Sequence, residues 1–191
     1  MTDIIYQIDK TLFYFFNNTI SNSLFDRLFP FITEVKHWYI AYIILILILF
    51  FKGGRLGKIA AIMTILLITV SDQLSSSLLK NLFARVRPCN ELPDVNVLVF
   101  CSGSYSMPSS HAVNNFTVAA YFSNLYPKFK WILYSVAALI AISRPYVGVH
   151  YPSDIFVGGL IGIILGLLFA FLTKFIDSLI SKRFITAKTI D

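Results

Sequence analysis

The stretch AYIILILILFF, residues 41–51, contains no charge, no amide side chain, no glycine and no proline. It closes a longer apolar block, 33–51, whose length approaches the roughly 20 residues a helix needs to cross the hydrocarbon layer of a bilayer. Further blocks follow at 58–80, 109–126, 131–143 with its flanks, and 155–175. The apolar residues are clustered rather than spread at the spacing of half-buried helices or strands. The pattern predicts an all-α fold, a polytopic transmembrane bundle of five to six membrane helices. The block at 109–126 is the least apolar, since it holds His111, Asn114 and Asn115. Polar residues in a membrane helix usually face the bundle interior and carry function.

Composition agrees. Of the 191 residues, 57% are hydrophobic and 14% charged, against about a quarter charged in soluble domains. The length suits one membrane domain, expected at 33–177 and flanked by an amphipathic segment at 1–32 and a basic tail at 178–191. In the first segment Phe13, Phe15, Phe16, Ile20, Leu24 and Leu28 alternate with Asp9, Lys10, Asn17, Asn18, Asp26 and Arg27, and Pro30 is expected to end it. It reads as one or two helices at the membrane interface, or else as a sixth span. Asp3 and Asp9 near the start argue against a cleavable signal peptide.

The net charge of +6 does not indicate nucleic-acid binding, because the basic residues sit at the ends of apolar blocks. With five spans, Lys52, Arg55 and Lys58, then Lys128 and Lys130, then Lys182, Arg183 and Lys188 all fall on one side, expected to be cytoplasmic. The loop 81–108 and the turn 144–153 then share the outer side. Cys89 and Cys101 lie in that loop, either as unrelated small residues or as a disulfide. The outer, oxidising side favours the bond.

Three polar groups converge on the same side, each from the end of a different block. They are Lys80 with Arg87 and Pro88; Pro108 to His111; and Ser143-Arg144 with His150 and Asp154. Lys80, Arg87 and Arg144 are cations without local carboxylates, suited to phosphate oxygens. Ser109 and Ser110 open a predicted helix, whose free N–H groups favour an anion. Two histidines can divide nucleophilic and acid roles near neutral pH. Asp154, four residues after His150, can hold one ring nitrogen and leave the other free to attack phosphorus.

These residues read KNLFARVRP (80–88), PSSH (108–111) and SRPYVGVHYPSD (143–154). In order and internal spacing they resemble the three motifs of the type 2 phosphatidic acid phosphatase family, Lys-x6-Arg-Pro, Pro-Ser-Gly-His and Ser-Arg-x5-His-x3-Asp, over roughly residues 58–175. Ser110 replaces the family's usual glycine, which would be strained if that position required positive φ. The resemblance implies that His150 is the nucleophile, Asp154 orients it, and His111 protonates the leaving oxygen. It also implies that Lys80, Arg87, Ser109, Ser110 and Arg144 hold the phosphate. It requires no metal or other cofactor. The implied partners are a lipid phosphate and the bilayer, with no nucleic acid and no obligate protein partner.

The expected activity is removal of phosphate from a bacterial envelope lipid at the outer face of the inner membrane. Undecaprenyl diphosphate, lipid A 1-phosphate and phosphatidylglycerophosphate are the candidate substrates. Phosphate transfer to a second lipid, or lipid binding without catalysis, are the alternatives. The soluble haloperoxidases that share similar motifs are excluded by the apolar blocks. Outside the motif positions, Arg85 is expected to be a headgroup contact or a solvated charge, Tyr146 and Tyr151 rim residues, and His37 an interfacial anchor. Asp72 is expected to be a paired structural acid in preference to a relay. Gly158, Gly162 and Gly166 form a small-residue stripe expected to pack inside the monomer.

Overall fold

The computed structural model describes residues 2–188. The end of the expected basic tail, and the side chains of Arg183 and Lys188, lie outside the described residues. Helix α1 (Thr2–Tyr14) runs on through a π turn (Phe15–Thr19), and α2 (Ser23–Thr33) follows. Asn22 starts α2 by accepting from the backbone N–H groups of Leu24 and Phe25, both at 3.1 Å, the N-cap arrangement that satisfies otherwise orphaned donors. A short 3-10 turn leads into α3 (Tyr39–Lys52). Helix α4 (Gly54–Gln73) passes through a π segment (Leu74–Leu79) into α5 (Lys80–Phe83). The remaining helices are the single turn α6 (Pro88–Glu91), α7 (Ser110–Leu125), α8 (Lys130–Tyr146) and the long α9 (Pro152–Lys188). No strand occurs among the described residues.

Among the described residues, three stretches are long and apolar enough to cross a membrane, Val35–Lys52, Gly54–Glu91 and Pro152–Lys182. Large apolar side chains cover the exterior: Ile40, Ile43, Leu45 and Phe51 on α3, Trp131 on α8, and Phe156, Ile164 and Phe171 on α9 are all more than half exposed. An apolar surface of this extent belongs against lipid, and the chain is a membrane protein.

The bundle is organised around the pairing of α7 with α9. The stripe of Gly158, Gly162 and Gly166 makes this pairing possible. A Cβ at Gly158 would stand 2.9 Å from the carbonyl oxygen of Ser109, and at Gly162 and Gly166 it would strike the carbonyls of Val113 and Thr117. The stripe therefore packs within the chain, as its spacing suggests. Deeper in the bundle, Leu67, Tyr121, Phe169 and Ala170 form the apolar core, and the Tyr121 hydroxyl meets Thr173 Oγ1 at 2.9 Å. Asp72 accepts from Asn114 Nδ2 at 3.1 Å, and Ser71 donates to Asn114 Oδ1 at 2.7 Å. Asp72 thus ties α4 to α7, as a paired structural acid would.

The N-terminal helices sit over one end of the bundle. Phe29 packs against Tyr146 with ring centroids 4.7 Å apart, and Phe25 stacks on Phe29 at 5.0 Å. This packing against α8 carries α2 past Pro30, which lies inside the helix instead of ending it. Proline removes one backbone hydrogen bond, and the buried aromatic contacts outweigh that loss. Asn17, fully buried, donates to the carbonyls of Asn96 at 2.8 Å and Tyr146 at 2.7 Å. Tyr146 and Tyr151 were expected at a rim, but both are fully buried beneath α1 and α2. A single-sequence reading treats the N-terminal segment as an interfacial appendage, and so leaves nothing to cover them.

Candidate active site

Each catalytic candidate stands where a helix begins or ends. Lys80 follows the π segment, and the chain then turns at Ala84, which has φ 45°, a left-handed conformation that costs a non-glycine residue about 1–2 kcal/mol. The turn releases the chain from the helix, so that Arg85 and Arg87 extend across the end of the bundle. Ser109 has extended backbone (φ −70°, ψ 113°) at the N-cap of α7, and Ser110 is its first residue. Ser110 therefore has helical geometry and bears none of the strain that a positive φ would impose. His150 lies in the turn between α8 and α9, not on a helix. That turn is shaped by Gly148, whose φ of 89° and approach to Asn96 leave no room for a side chain. The Ser109 N–H donates to the Asp154 carbonyl at 3.1 Å, joining the second motif to the third.

The motif residues converge. His150 and Asp154 are almost completely buried. His150 Nδ1 faces Asp154 Oδ2 at 3.4 Å and Ser106 Oγ at 3.4 Å, both long for a hydrogen bond. His150 Nε2 faces Arg87 Nη1 at 3.2 Å. Arg87 is braced by the carbonyls of Val149 at 3.0 Å and Ser104 at 2.8 Å. Arg144 Nη1 donates to Thr33 Oγ1 at 2.5 Å, and His111 Nε2 lies 3.0 Å from the Thr33 carbonyl oxygen. Lys80 is buried within electrostatic reach of Arg87, Arg144 and Asp154. Three further groups are buried yet bond nothing among the described residues: Ser109 Oγ, Ser110 Oγ and Arg144 Nε. Such groups are rare in folded proteins; Thr117 Oγ1 and Tyr126 OH are two more, outside the motifs.

Burial pushes the His150 imidazole well below its usual range. Asp154 pulls it back up, while Arg87 and Arg144 push it further down. These surroundings favour the neutral form of the ring. The Tyr151 phenol is raised far above its usual range by burial and by the hydrogen bond it donates to Glu91 at 2.8 Å.

The structure adds partners outside the motif positions. Ser106, fully buried, donates a short hydrogen bond to Asp154 Oδ2. Arg85 is not a solvated charge but a paired one. Its Nη1 meets Asp154 Oδ1 at 2.9 Å, its Nη2 meets Asp9 Oδ2 at 2.6 Å, and it lies 3.9 Å above the Tyr151 ring. Two buried carboxylates, contributed by distant parts of the chain, hold it and leave it only partly exposed. Cys89 and Cys101 form a disulfide with Cα atoms 6.4 Å apart, joining the start of α6 to the loop before Pro108.

The chain belongs to the PAP2 superfamily, whose family model matches residues 61–176. A lipid A 4'-phosphatase of Porphyromonas gingivalis is 32% identical over 172 residues, covering 86% of this chain and 72% of that protein. The crystal structure of Aquifex aeolicus LpxE superposes with a TM-score of 0.67 at 35% identity, covering 83% of this chain and 92% of its own. A transmembrane PAP2-type phosphatidylglycerolphosphate phosphatase from Bacillus subtilis gives a TM-score of 0.67 at 25% identity, covering 92% and 87%.

Proposed function

We propose that this membrane lipid phosphatase hydrolyses a phosphate from a bacterial envelope lipid, with a phosphosugar lipid of the lipid A type as the leading substrate. The proposed reaction has two steps. His150 Nε2 attacks phosphorus, forming an N–P bond as the P–O bond to the lipid breaks, and His111 gives a proton to the departing oxygen. Water then gives a proton to His111 and attacks the phosphohistidine, breaking the N–P bond, releasing phosphate and restoring both rings. Asp154 holds the Nδ1 side so that Nε2 keeps its lone pair. Lys80, Arg87, Arg144, Ser109 and Ser110 take the phosphate oxygens and the charge that spreads over them in the transition state. No step draws on a metal ion.

The observation that carries this reading is the coincidence of two independent sets. The buried groups without a hydrogen-bond partner include Ser109 Oγ, Ser110 Oγ and Arg144 Nε, all on residues the motifs assign to phosphate. They share one end of the bundle with His150, whose Nε2 faces a guanidinium. Two lipid A 4'-phosphatases match 86% and 90% of the chain, against 72% for an undecaprenyl-diphosphatase and 62% for a phosphatidylglycerophosphatase, which favours a phosphosugar lipid over the other candidates. The pairing of α7 with both α8 and α9 supports a five-span arrangement, and the cysteine bond supports an active site on the outer face of the inner membrane.

The test is phosphate release from a panel of purified lipid phosphates. A lipid A-type phosphate should be the best substrate, turnover should persist in excess chelator, and His150→Ala should abolish it in folded protein. Turnover retained by His150→Ala, or lost in chelator and restored by a divalent cation, overturns the mechanism.

A further inference from the structure

Asp154 is fully buried and both its oxygens are engaged. Oδ2 accepts from Ser106 Oγ and from the Tyr151 N–H at 2.8 Å, and is the oxygen that faces His150. Oδ1 accepts from Arg85 Nη1 at 2.9 Å. The same Nη1 donates to Ser153 Oγ at 2.6 Å, while Nη2 donates to Asp9 Oδ2 at 2.6 Å. Asp9 belongs to α1. It also accepts from the Ser153 N–H at 2.9 Å and from Ser153 Oγ at 2.5 Å. A carboxylate from the N-terminal helix thus satisfies a free N–H in the first turn of α9, where negative charge is favoured. The Tyr151 ring closes the other face of the guanidinium.

The arrangement has a consequence for charge. Arg85 alone would neutralise Asp154 and weaken its hold on the His150 ring. Asp9 balances Arg85, so the three groups together present one net negative charge to the imidazole. A guanidinium fork bridging two carboxylates also fixes the carboxylate plane, which a single lysine ammonium would not. We infer that Asp9 and Arg85 are a positioning pair, holding Asp154 in the plane that faces His150 Nδ1 and setting the charge it presents there. The amphipathic helix α1 is then part of the catalytic apparatus, although it lies outside the stretch matched by the family model. This rests on the reading of His150 as nucleophile.

The experiment is the pH profile of kcat/KM for Asp9→Asn, Arg85→Gln and the double variant, on one lipid phosphate in detergent. The acid limb reports protonation of the nucleophile in the free enzyme. The groups that face His150 are Asp154, Arg87, Arg144 and His111, together with Ser106, and all are unchanged in these variants. Arg85→Gln removes a positive charge, favours the imidazolium, and should move the limb to higher pH. Asp9→Asn removes a negative charge and should move it to lower pH. Each shift should be roughly half to one unit for screened charges at this separation. The double variant should return the limb close to its original position. In all three, kcat should fall by roughly 10- to 100-fold with KM little changed, because a misplaced orienting group costs rate and not binding. Limbs that stay in place, or that move the same way in both single variants, overturn the inference. If Arg85→Gln does not fold, Asp9→Asn decides alone: a downward limb with reduced kcat supports the pairing, and a profile matching the parent rejects it. His150→Ala is measured in parallel. If it is inactive while Asp9→Asn and Arg85→Gln resemble the parent, only this inference fails; if it is active, the nucleophile assignment fails first.

Discussion

His111 and His150 share one end of the bundle but have different neighbours. His150 is enclosed, with Nε2 turned to Arg87 and Nδ1 to Asp154 and Ser106. His111 is half-buried at the start of α7, where its Nε2 meets the Thr33 carbonyl and Arg144, His150 and Lys80 lie within electrostatic reach. The first arrangement suits attack; the proposed acid role of the second needs a protonated ring, which the negative charge of a bound phosphate would favour. His111→Ala should therefore lower kcat/KM for lipid phosphates by roughly 10²–10⁴-fold, the usual worth of general acid catalysis. It should cost far less with an aryl phosphate, whose leaving group needs little protonation. Parallel kinetics on the two substrates check this, and equal losses would remove His111 as the acid. The motif residues were legible in the sequence because each has a fixed spacing to a neighbour. Arg85, Asp9 and Ser106 were not. Asp9 and Arg85 are separated by 76 positions, and no local pattern announces that a lone arginine will find two buried carboxylates. The tyrosines were misread for the same reason, since what buries Tyr146 and Tyr151 comes from the far N-terminus.

Among the elements, the α7–α9 pair fixes the distance between the two histidines' supports. Gly162 faces the α7 backbone at the Val113 carbonyl and lies 2.9 Å from the Thr117 N–H nitrogen by its absent Cβ, whereas the neighbouring Gly159 would meet only the Phe116 ring, at 3.3 Å. Backbone cannot rotate aside; a ring can. Gly162→Ala should destabilise the folded protein by about 1–3 kcal/mol, the usual cost of overpacking, and reduce turnover by separating His111 from Asp154. Gly159→Ala should do much less of both. Thermal unfolding in detergent with parallel activity measurements distinguishes them, and equal effects would show that the two helices adjust freely. Small residues at every fourth position made this face readable in advance. The π segments before Lys80 and after Tyr14 were not readable, because one extra residue in a helical turn leaves the apolar pattern nearly unchanged.

For the whole molecule, the apolar blocks foretold an all-helical membrane protein. The number of crossings is harder to read, because α7 and α8 have only 16 and 17 residues, and part of α7's polarity serves the site. The proposed orientation can be tested with an impermeant thiol reagent on intact cells. Cys89 and Cys101 are bonded to each other, so the parent should be silent. Val97→Cys should label, since Val97 is exposed on the loop that carries the site. Lys52→Cys, at the far end of α3, should label only after the membrane is opened. The reverse pattern would turn the active site to the cytoplasm.

The position of Thr33 bears on what happens after the chemistry. One residue at the end of α2 supplies the hydrogen-bond acceptors for both Arg144 and His111. A lipid phosphate that engages those two groups must take them over from Thr33, so binding is an exchange of acceptors in which the number of hydrogen bonds barely changes. The contest is decided by charge: a phosphate dianion displaces a neutral threonine, because hydrogen bonds to ionised acceptors are about twice as strong. In the proposed reaction the lipid leaves as an alcohol while the phosphoryl group stays on His150, so the charge that holds Arg144 goes only when inorganic phosphate departs. On the proposed mechanism Thr33 is a competitor that yields to the incoming phosphate and takes its place back from the departing one, so that Arg144 and His111 pass from one acceptor to the other.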